Sequence, residues 1–191
     1  MESELIYSNK GNIIQGPLLL MPSIFKDKRG YFLESWNKNV FNKSLDQEVN
    51  FVQDNQSFSK KGVIRGMHFQ IPPHQQSKLI RCLYGSIFDV IVDIRKTSKT
   101  FGECYGIQLK ADDLYQLWIP YGFAHGFLSL IQDSVVLYKV DQFRYKSHER
   151  ILNWNDELIG IKWPNINQSY ILSEKDKNAP NLSGINKDDL F

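Results

Sequence analysis

The stretch GSIFDVIVDI, residues 85–94, alternates its side chains with the two-residue period of a β-strand. One face of this strand is apolar and comprises Phe88, Val90 and Val92. The opposite face carries carboxylates among apolar groups and comprises Ile87, Asp89, Ile91 and Asp93. Such a strand suits a barrel or jelly roll with a polar-decorated interior pocket, because closing the sheet also removes its exposed edges.

Similar runs of β-branched and aromatic residues recur along the chain, separated by turn residues such as DKRG and PYG. The predicted strands occupy residues 13–21, 31–36, 51–58, 63–69, 78–85, 86–94, 105–110, 115–120, 124–130 and 134–140. Residues 37–45 and 156–160 are predicted to be brief helical or turn segments, too few to cover a parallel sheet. The sequence therefore predicts an all-β sandwich or barrel, and its length of 191 residues predicts one domain over residues 1–191.

Charge and composition exclude several functions. The formal charge is only +2, and no run of Lys and Arg with interleaved aromatics forms a stripe that could follow a nucleic-acid backbone. The only strongly apolar stretch near the start, residues 18–21, is far shorter than the apolar region of a signal peptide. We therefore expect a cytoplasmic protein that binds neither nucleic acid nor membranes, with Cys82 and Cys104 as buried thiols.

A second stretch, IPYGFAHGF at residues 119–127, places His125 behind a proline-glycine turn. Its Pro-x-Gly-x-x-His pattern is similar to the second motif of the cupin double-stranded β-helix, which predicts a cupin-type jelly roll with a few short helices. Many cupins bind a metal through a His-x-His pair, but here His68 is followed by Phe69 and Gln70. No facial set of metal ligands follows from these spacings, so we expect no catalytic metal and proton chemistry by side chains.

Six longer segments resemble the dTDP-4-dehydrorhamnose 3,5-epimerase family, in the same order and over nearly the whole chain. They are residues 27–36, 51–70, 77–102, 116–127, 138–164 and 172–176. Two departures are Met67, where leucine is usual, and Cys104, where tryptophan is common. Neither departure removes a group expected to react.

The resemblance implies inversion of a nucleotide-linked 4-keto-6-deoxyhexose at carbons 3 and 5, from dTDP-4-dehydro-6-deoxy-D-glucose to dTDP-4-dehydro-L-rhamnose. Both carbons are α to the ketone, so the reaction requires a base, a donor for the enolate oxygen and an acid on the opposite face of the ring. It requires no redox cofactor, so the resemblance implies no cofactor. The nearest alternative is a single-carbon 3- or 5-epimerase acting on a related nucleotide sugar. Alternatives of another class are a metal-dependent cupin enzyme and a non-catalytic sugar-binding barrel.

The same resemblance implies the catalytic residues. His68 is the expected base, since imidazole has an unperturbed pKa of roughly 6.5. Asp176 is expected to hold its tautomer, and Tyr138 to act as the acid on the opposite face. Lys78 is expected to stabilise the enolate oxygen. Asp89 is placed by the strand pattern either to hold Lys78 charged or to serve only as a buried ion partner.

The resemblance also assigns substrate-binding residues. They are Phe25, Arg29, Glu34, Gln53, Asn55, Arg65, Lys78, His125, Glu149 and Lys175. Arg29, Arg65 and Lys175 are expected at the diphosphate, and Phe25 is expected to stack on the pyrimidine. Because strict alternation would place Arg65 and His68 on opposite faces, we expect a bulge or twist near Gly66.

The family's homodimer implies the same assembly for this chain. In such a dimer, residues from the N-terminal part would complete the partner's pocket, which would explain the importance of Arg29 and Glu34 despite their distance along the chain. The expected partners are therefore a nucleotide-sugar substrate and a second copy of the chain.

Overall fold

The computed structural model describes residues 1–191 and consists mainly of β-strands. The strands are β1 (Glu2–Tyr7), β2 (Ile13–Met21), β3 (Ile24–Asp27), β4 (Gly30–Leu33), β5 (Gln53–Lys60), β6 (Ile64–Gln70), β7 (Lys78–Tyr84), β8 (Ser86–Asp93), β9 (Cys104–Lys110), β10 (Gln116–Ile119), β11 (Phe123–Ser129), β12 (Asp133–Val140) and β13 (Glu149–Ile151). The α-helices are α1 (Lys38–Leu45) and α2 (Glu174–Lys177). Single 3₁₀ turns occupy Ala111–Asp113, Lys146–His148, Leu182–Gly184 and Lys187–Asp189.

Two large antiparallel sheets face each other. The six-stranded sheet has the order β1-β2-β10-β7-β12-β5, and the five-stranded sheet has the order β13-β6-β11-β8-β9. Strands far apart in sequence become neighbours, as where β10 lies between β2 and β7, which is the connectivity expected of a jelly roll. The predicted all-β, cupin-type fold is confirmed.

All ten strands predicted from the sequence are present, with ends that differ by a few residues. Three strands were not predicted: β1 and the hairpin strand β3 are largely exposed, and β13 has only three residues. These three strands show little or no alternation of buried and exposed side chains, because they form by pairing with another strand and not by burying one face. Residues 156–160 form turns, as the sequence allowed.

Helix α1 covers the outer face of the six-stranded sheet. Asn37 caps its start by accepting hydrogen bonds from the backbone N–H groups of Asn39 and Val40. Its one buried side chain, Phe41, packs edge-on against Trp118 of β10. No helix in the structure is long and apolar enough to cross a membrane.

The main core lies between the two sheets. From β8 it receives Ile87 and Ile91, whereas Val90 and Val92 pack in a second cluster on the outer face of the five-stranded sheet. Both faces of the opening stretch are thus buried, because the C-terminal part of the chain covers the outer one. Cys82 and Cys104 are both buried and unpaired, as predicted.

Candidate active site

A cavity of about 450 Å³ opens between the two sheets. Its lining includes polar residues from both sheets and from α2. Ten residues singled out from the sequence line this cavity: Gln53, Asn55, Arg65, His68, Lys78, His125, Tyr138, Glu149, Lys175 and Asp176. The fold therefore brings together groups that are separated by more than a hundred positions along the chain.

His68 and Asp176 form a hydrogen-bonded pair at this cavity. The distance from His68 Nε2 to Asp176 Oδ1 is 2.7 Å, and Asp176 is buried. Burial by itself raises the pKa of Asp176, but hydrogen bonds from His68, Ser173 and the backbone of Gly66 outweigh it and hold that pKa below its usual value. Since a carboxylate accepts the proton on Nε2, the lone pair of the neutral ring lies on Nδ1.

Two local features bring Asp176 to His68. Ile171 joins the start of β6 through backbone hydrogen bonds to Gly62 and Ile64, which places the following residues beside that strand. Ser173 then caps α2 by accepting a hydrogen bond from the backbone N–H of Asp176. Residues 173–176 therefore form part of the cavity wall.

A bulge in β6 turns Arg65 and His68 toward the same cavity. His68 lies opposite His125 of β11, but Arg65 lies opposite Phe127, so three residues of β6 span the length of two residues of β11. This is the irregularity predicted near Gly66 from the sequence.

Glycine is required at the bulge. Gly66 has φ +137°, and a Cβ atom there would lie 2.5 Å from the Cα atom of Gly126 on β11. Both the backbone conformation and the close approach of two strands therefore exclude a side chain at this position.

Arg65 and Lys78 place positive charge at the cavity. Arg65 is oriented by β5, where its guanidinium donates to Ser59 Oγ at 3.0 Å and to the carbonyl of Phe58 at 2.9 Å. Lys78 is buried, and desolvation lowers its pKa to about 8, although the carboxylates of Asp141 and Asp89 favour the charged form. Lys78 therefore remains mostly an ammonium at neutral pH.

Asp89 lies behind the cavity wall and contacts His125. Both of its carboxylate oxygens lie 3.0 Å from His125 Nε2. Burial raises the pKa of Asp89, and the charges of His125 and Lys78 partly oppose that rise. Asp89 therefore contacts the imidazole of His125 directly and acts on Lys78 only through its charge.

Tyr138 projects from the facing sheet. Its strand, β12, runs between β5 and β7, where Tyr138 lies opposite Asn55 and Ile80. Burial raises the pKa of the phenol, while the cations of Arg65 and Arg144 act in the opposite direction. The phenol is therefore protonated at neutral pH and can donate a proton.

Eight cavity residues were not predicted from the sequence: Ser57, Phe69, Gln70, Gln76, Phe127, Arg144, Arg150 and Ser173. Ser57 could have been found, because alternation along β5 places it on the same face as Gln53 and Asn55. The two arginines had no such signal, since they lie in or beside a short edge strand. Glu149 contacts the guanidinium of Arg144 with both carboxylate oxygens and lies 3.3 Å from Lys175 Nζ.

Three predicted binding residues lie outside the cavity of their own chain. Phe25, Arg29 and Glu34 lie on or next to the hairpin formed by β3 and β4, which pairs with no other strand. The Arg29 side chain is 85% exposed and contacts only Asp27 of the same hairpin. A single chain therefore does not bring these three residues to the other ten.

No group of three or more His, Cys, Asp or Glu side chains converges in a way that could hold a metal ion. The two imidazoles of the cavity, His68 and His125, each have a carboxylate partner instead. The arrangement that the structure offers is thus a set of proton donors and acceptors flanked by cations.

The family profile that matches this chain and its relatives of known activity carry the same name. The family profile described as dTDP-4-dehydrorhamnose 3,5-epimerase matches residues 12–184. The dTDP-4-dehydrorhamnose 3,5-epimerase of Salmonella typhimurium is 50% identical over 165 residues, which cover 86% of this chain and 90% of that protein.

Solved structures agree with the sequence matches. The Legionella pneumophila dTDP-6-deoxy-D-glucose-3,5-epimerase, in complex with dTDP-4-keto-L-rhamnose, matches with a TM-score of 0.90 and 36% identity, covering 99% of this chain and 97% of that chain. A 3′-monoepimerase from Streptomyces bikiniensis, in complex with dTDP-quinovose, matches with a TM-score of 0.84 and 30% identity, covering 89% and 85%. With its jelly roll and its profile match over most of the sequence, the chain belongs to the dTDP-4-dehydrorhamnose 3,5-epimerase family of isomerases.

Proposed function

We propose that this protein epimerises dTDP-4-dehydro-6-deoxy-D-glucose at carbons 3 and 5 to give dTDP-4-dehydro-L-rhamnose. The observation that carries the proposal is the His68–Asp176 pair at a cavity whose facing sheet presents Tyr138. Family membership supplies the substrate class, since relatives of this chain are named for the same conversion.

His68 is the base in this proposal. Its Nδ1 lone pair takes the proton from the carbon next to the ketone, and the electron pair of that carbon–hydrogen bond passes to the carbonyl oxygen as an enolate. Asp176 stabilises the resulting imidazolium because its carboxylate already accepts the Nε2 proton.

Lys78 stabilises the enolate oxygen. Its ammonium is buried at the cavity, where low water content makes a charge interaction stronger than in bulk solvent. Asp141 and Asp89 help to keep that ammonium charged. Loss of the Lys78 proton would therefore remove the stabilisation of the intermediate.

Tyr138 returns a proton to the opposite face of the ring. It lies on β12 of the six-stranded sheet, whereas His68 lies on β6 of the five-stranded sheet, so a sugar bound between them would meet a base on one face and an acid on the other. The His68 imidazolium then loses its extra proton to solvent and the Tyr138 phenolate regains one, so the net change is inversion at carbon.

The cations near the cavity bind the diphosphate in this proposal. Arg65 and Lys175 line the cavity, and a guanidinium suits the geometry of a phosphate group. Gln53 and Asn55 present amide groups for the base or the sugar, with Glu149 and His125 as further contacts.

We propose a homodimer in which the β3–β4 hairpin reaches the partner's cavity. Phe25 and Phe32 are 64% and 69% exposed on this hairpin, and no strand outside the hairpin pairs with it. A second copy would cover these rings and bring Arg29 and Glu34 to a substrate. We also propose a cytoplasmic location, which cell fractionation tests.

A single-carbon epimerase is the second candidate, favoured by the match to the 3′-monoepimerase. The purified protein is incubated with dTDP-4-dehydro-6-deoxy-D-glucose in deuterated water, and NMR of the sugar distinguishes the candidates. Deuterium at both carbons supports the proposal, deuterium at one carbon supports the second candidate, and deuterium at neither supports a sugar-binding protein. Elemental analysis of the active protein tests the prediction that no metal is required.

A further inference from the structure

Residues 185–191 follow the range matched by the family profile and pack on the outer face of the five-stranded sheet. Ile185 and Leu190 are buried in the same cluster as Leu152, the residue that follows β13. Phe191 exchanges backbone hydrogen bonds with Ile94 and Lys96. This C-terminal segment is therefore anchored at several points along the sheet that carries His68.

From this segment, the carboxylate of Asp189 reaches Arg150. Asp189 Oδ2 lies 2.6 Å from Arg150 Nε, and Oδ1 lies 3.1 Å from Nη2. The two side chains are only 19% and 32% exposed, so this bidentate pair is partly shielded from water. Arg150 lines the cavity, whereas Asp189 does not.

Arg150 also fixes the backbone beside it. Its Nη1 group donates hydrogen bonds of 3.0 Å to the carbonyl oxygens of Ser147 and Glu149. Because Asp189 fixes the guanidinium of Arg150, these two hydrogen bonds can hold the backbone at the start of β13.

The position of β13 matters for the cavity. This three-residue strand is the edge of its sheet and pairs only with β6, where Ile151 lies opposite His68. Its first residue, Glu149, contacts Arg144 and Lys175, and Lys175 directly precedes Asp176. A shift of β13 would thus move a cluster of charges at the cavity.

We propose that Asp189 is a positioning residue for substrate binding, which acts through Arg150 to hold Glu149 and its two cationic partners in place. This inference rests on the proposed function, because it takes Glu149 and Lys175 as contacts to the nucleotide sugar. Loss of the Asp189 charge loosens the edge strand and weakens binding. Proton abstraction by His68 in substrate that is already bound is little affected, because the His68–Asp176 pair has its own hydrogen bonds.

Asp189→Asn tests the proposal, with Asp188→Asn as the matched control. The control removes the same charge one residue away, from an exposed side chain that makes no hydrogen bond or ion pair. We expect Asp189→Asn to raise the KM for the nucleotide sugar and the calorimetric Kd for dTDP by about five- to tenfold, with kcat changed by less than about twofold. Asp188→Asn should match the wild type in all three quantities.

Arg150→Gln and the double variant test whether Asp189 acts through Arg150. If it does, the double variant binds dTDP no more weakly than Arg150→Gln alone. Additive losses would overturn the proposal, as would an Asp189→Asn variant that binds dTDP like Asp188→Asn or loses kcat with KM unchanged. Arg150→Gln removes the same Arg150–Asp189 ion pair from the side of the cavity. It therefore measures the effect of that pair on dTDP binding if the Asp189→Asn variant folds poorly.

The dTDP measurement separates this proposal from the proposed function. A wild-type protein that binds dTDP but does not epimerise the sugar would overturn the proposed function alone. The comparison between Asp189→Asn and Asp188→Asn would still decide the role of Asp189.

Discussion

At the scale of single residues, chemistry depends on how each ionisable group is partnered. His68 and His125 are both imidazoles at one cavity, and each contacts a carboxylate. They differ in exposure, since the side chain of His68 is 45% exposed and that of His125 is 9% exposed. The more open imidazole has the greater access to a substrate, which supports His68 as the base.

Replacement of His68 by Ala should abolish deuterium exchange at both sugar carbons. The expected loss is at least about 10²–10⁴-fold, the usual contribution of a positioned base. The Kd for dTDP should change little, because the proposed diphosphate contacts are Arg65 and Lys175. Near-normal exchange in the variant, measured by NMR in deuterated water, would contradict the assignment of the base.

The activity should fall as the pH rises through about 8, since burial lowers the pKa of Lys78 to about 8 and the proposed mechanism needs the ammonium to stabilise the enolate. Above that value, kcat/KM should drop about tenfold per pH unit. Asp141→Asn removes the carboxylate that most favours the charged form, so the basic limb should move to lower pH. Asp188→Asn should leave the basic limb of the pH profile unchanged. A basic limb near pH 10 in the wild type would rule out this role of Lys78.

The same shift has a consequence for stability. Between pH 8 and 10.5, the unfolded chain keeps the Lys78 proton that the folded chain has released. Because the unfolded state then binds more protons, the Lys78 contribution to the free energy of unfolding should increase with pH over this window. Lys78→Met should remove that dependence in urea denaturation measured at several pH values.

At the scale of structural elements, the bulge in β6 is what allows one strand to supply two cavity residues. Arg65 and His68 are three positions apart and would face opposite ways in a regular strand. The extra residue is accommodated because Gly66 and Gly126 let the two backbones approach closely. The proposed catalytic and diphosphate-binding groups are therefore linked through the geometry of a single pair of strands.

Gly66→Ala should destabilise the fold by about 3–5 kcal/mol, since it combines a disfavoured φ of +137° with a Cβ that meets the backbone of β11. Gly11→Ala is the control: Gly11 lies outside the β3–β4 hairpin, has a φ of +84° and has no heavy atom within 4 Å of its Cβ. The control should cost only about 1–2 kcal/mol. Urea unfolding of both variants measures the difference, and equal losses would show that strand contact contributes nothing.

At the scale of the whole molecule, the β3–β4 hairpin is the element that a single chain leaves unexplained. Its four-residue strands are almost entirely exposed, and its charged residues Arg29 and Asp27 contact only each other. Placement in a partner's cavity would give the exposed rings a surface to cover and Arg29 an anionic ligand. The proposed dimer therefore has a direct functional test.

Mixing two inactive variants should restore activity. In a mixed dimer of His68→Ala and Arg29→Ala chains, one cavity carries both defects and the other carries neither, if the hairpin acts on the partner. Random reassortment gives one mixed dimer in two, so the mixture should recover about a quarter of the wild-type activity. If subunit exchange is confirmed and activity does not return, the hairpin acts on the cavity of its own chain or lies outside the site.

The sequence by itself determined ten of the thirteen strands. Alternation in residues 85–94 predicted β8, and runs of β-branched and aromatic residues between turn residues located nine more strands, because both signals depend only on neighbouring residues. The six segments quoted from the resemblance also identified the family, which the profile match later showed. Because the resemblance implied that Arg65 and His68 share one pocket, their spacing also predicted the bulge at Gly66.

Only the tertiary structure decided which distant groups meet. Nothing local to Asp89 shows that its partner is His125, and nothing local to Asp189 shows that it reaches Arg150 across 39 positions. Strand β13 likewise exists because β6 offers it an edge, not because three residues form a recognisable pattern. Such contacts depend on the path of the whole chain, since side chains far apart in sequence become neighbours only after both sheets have assembled.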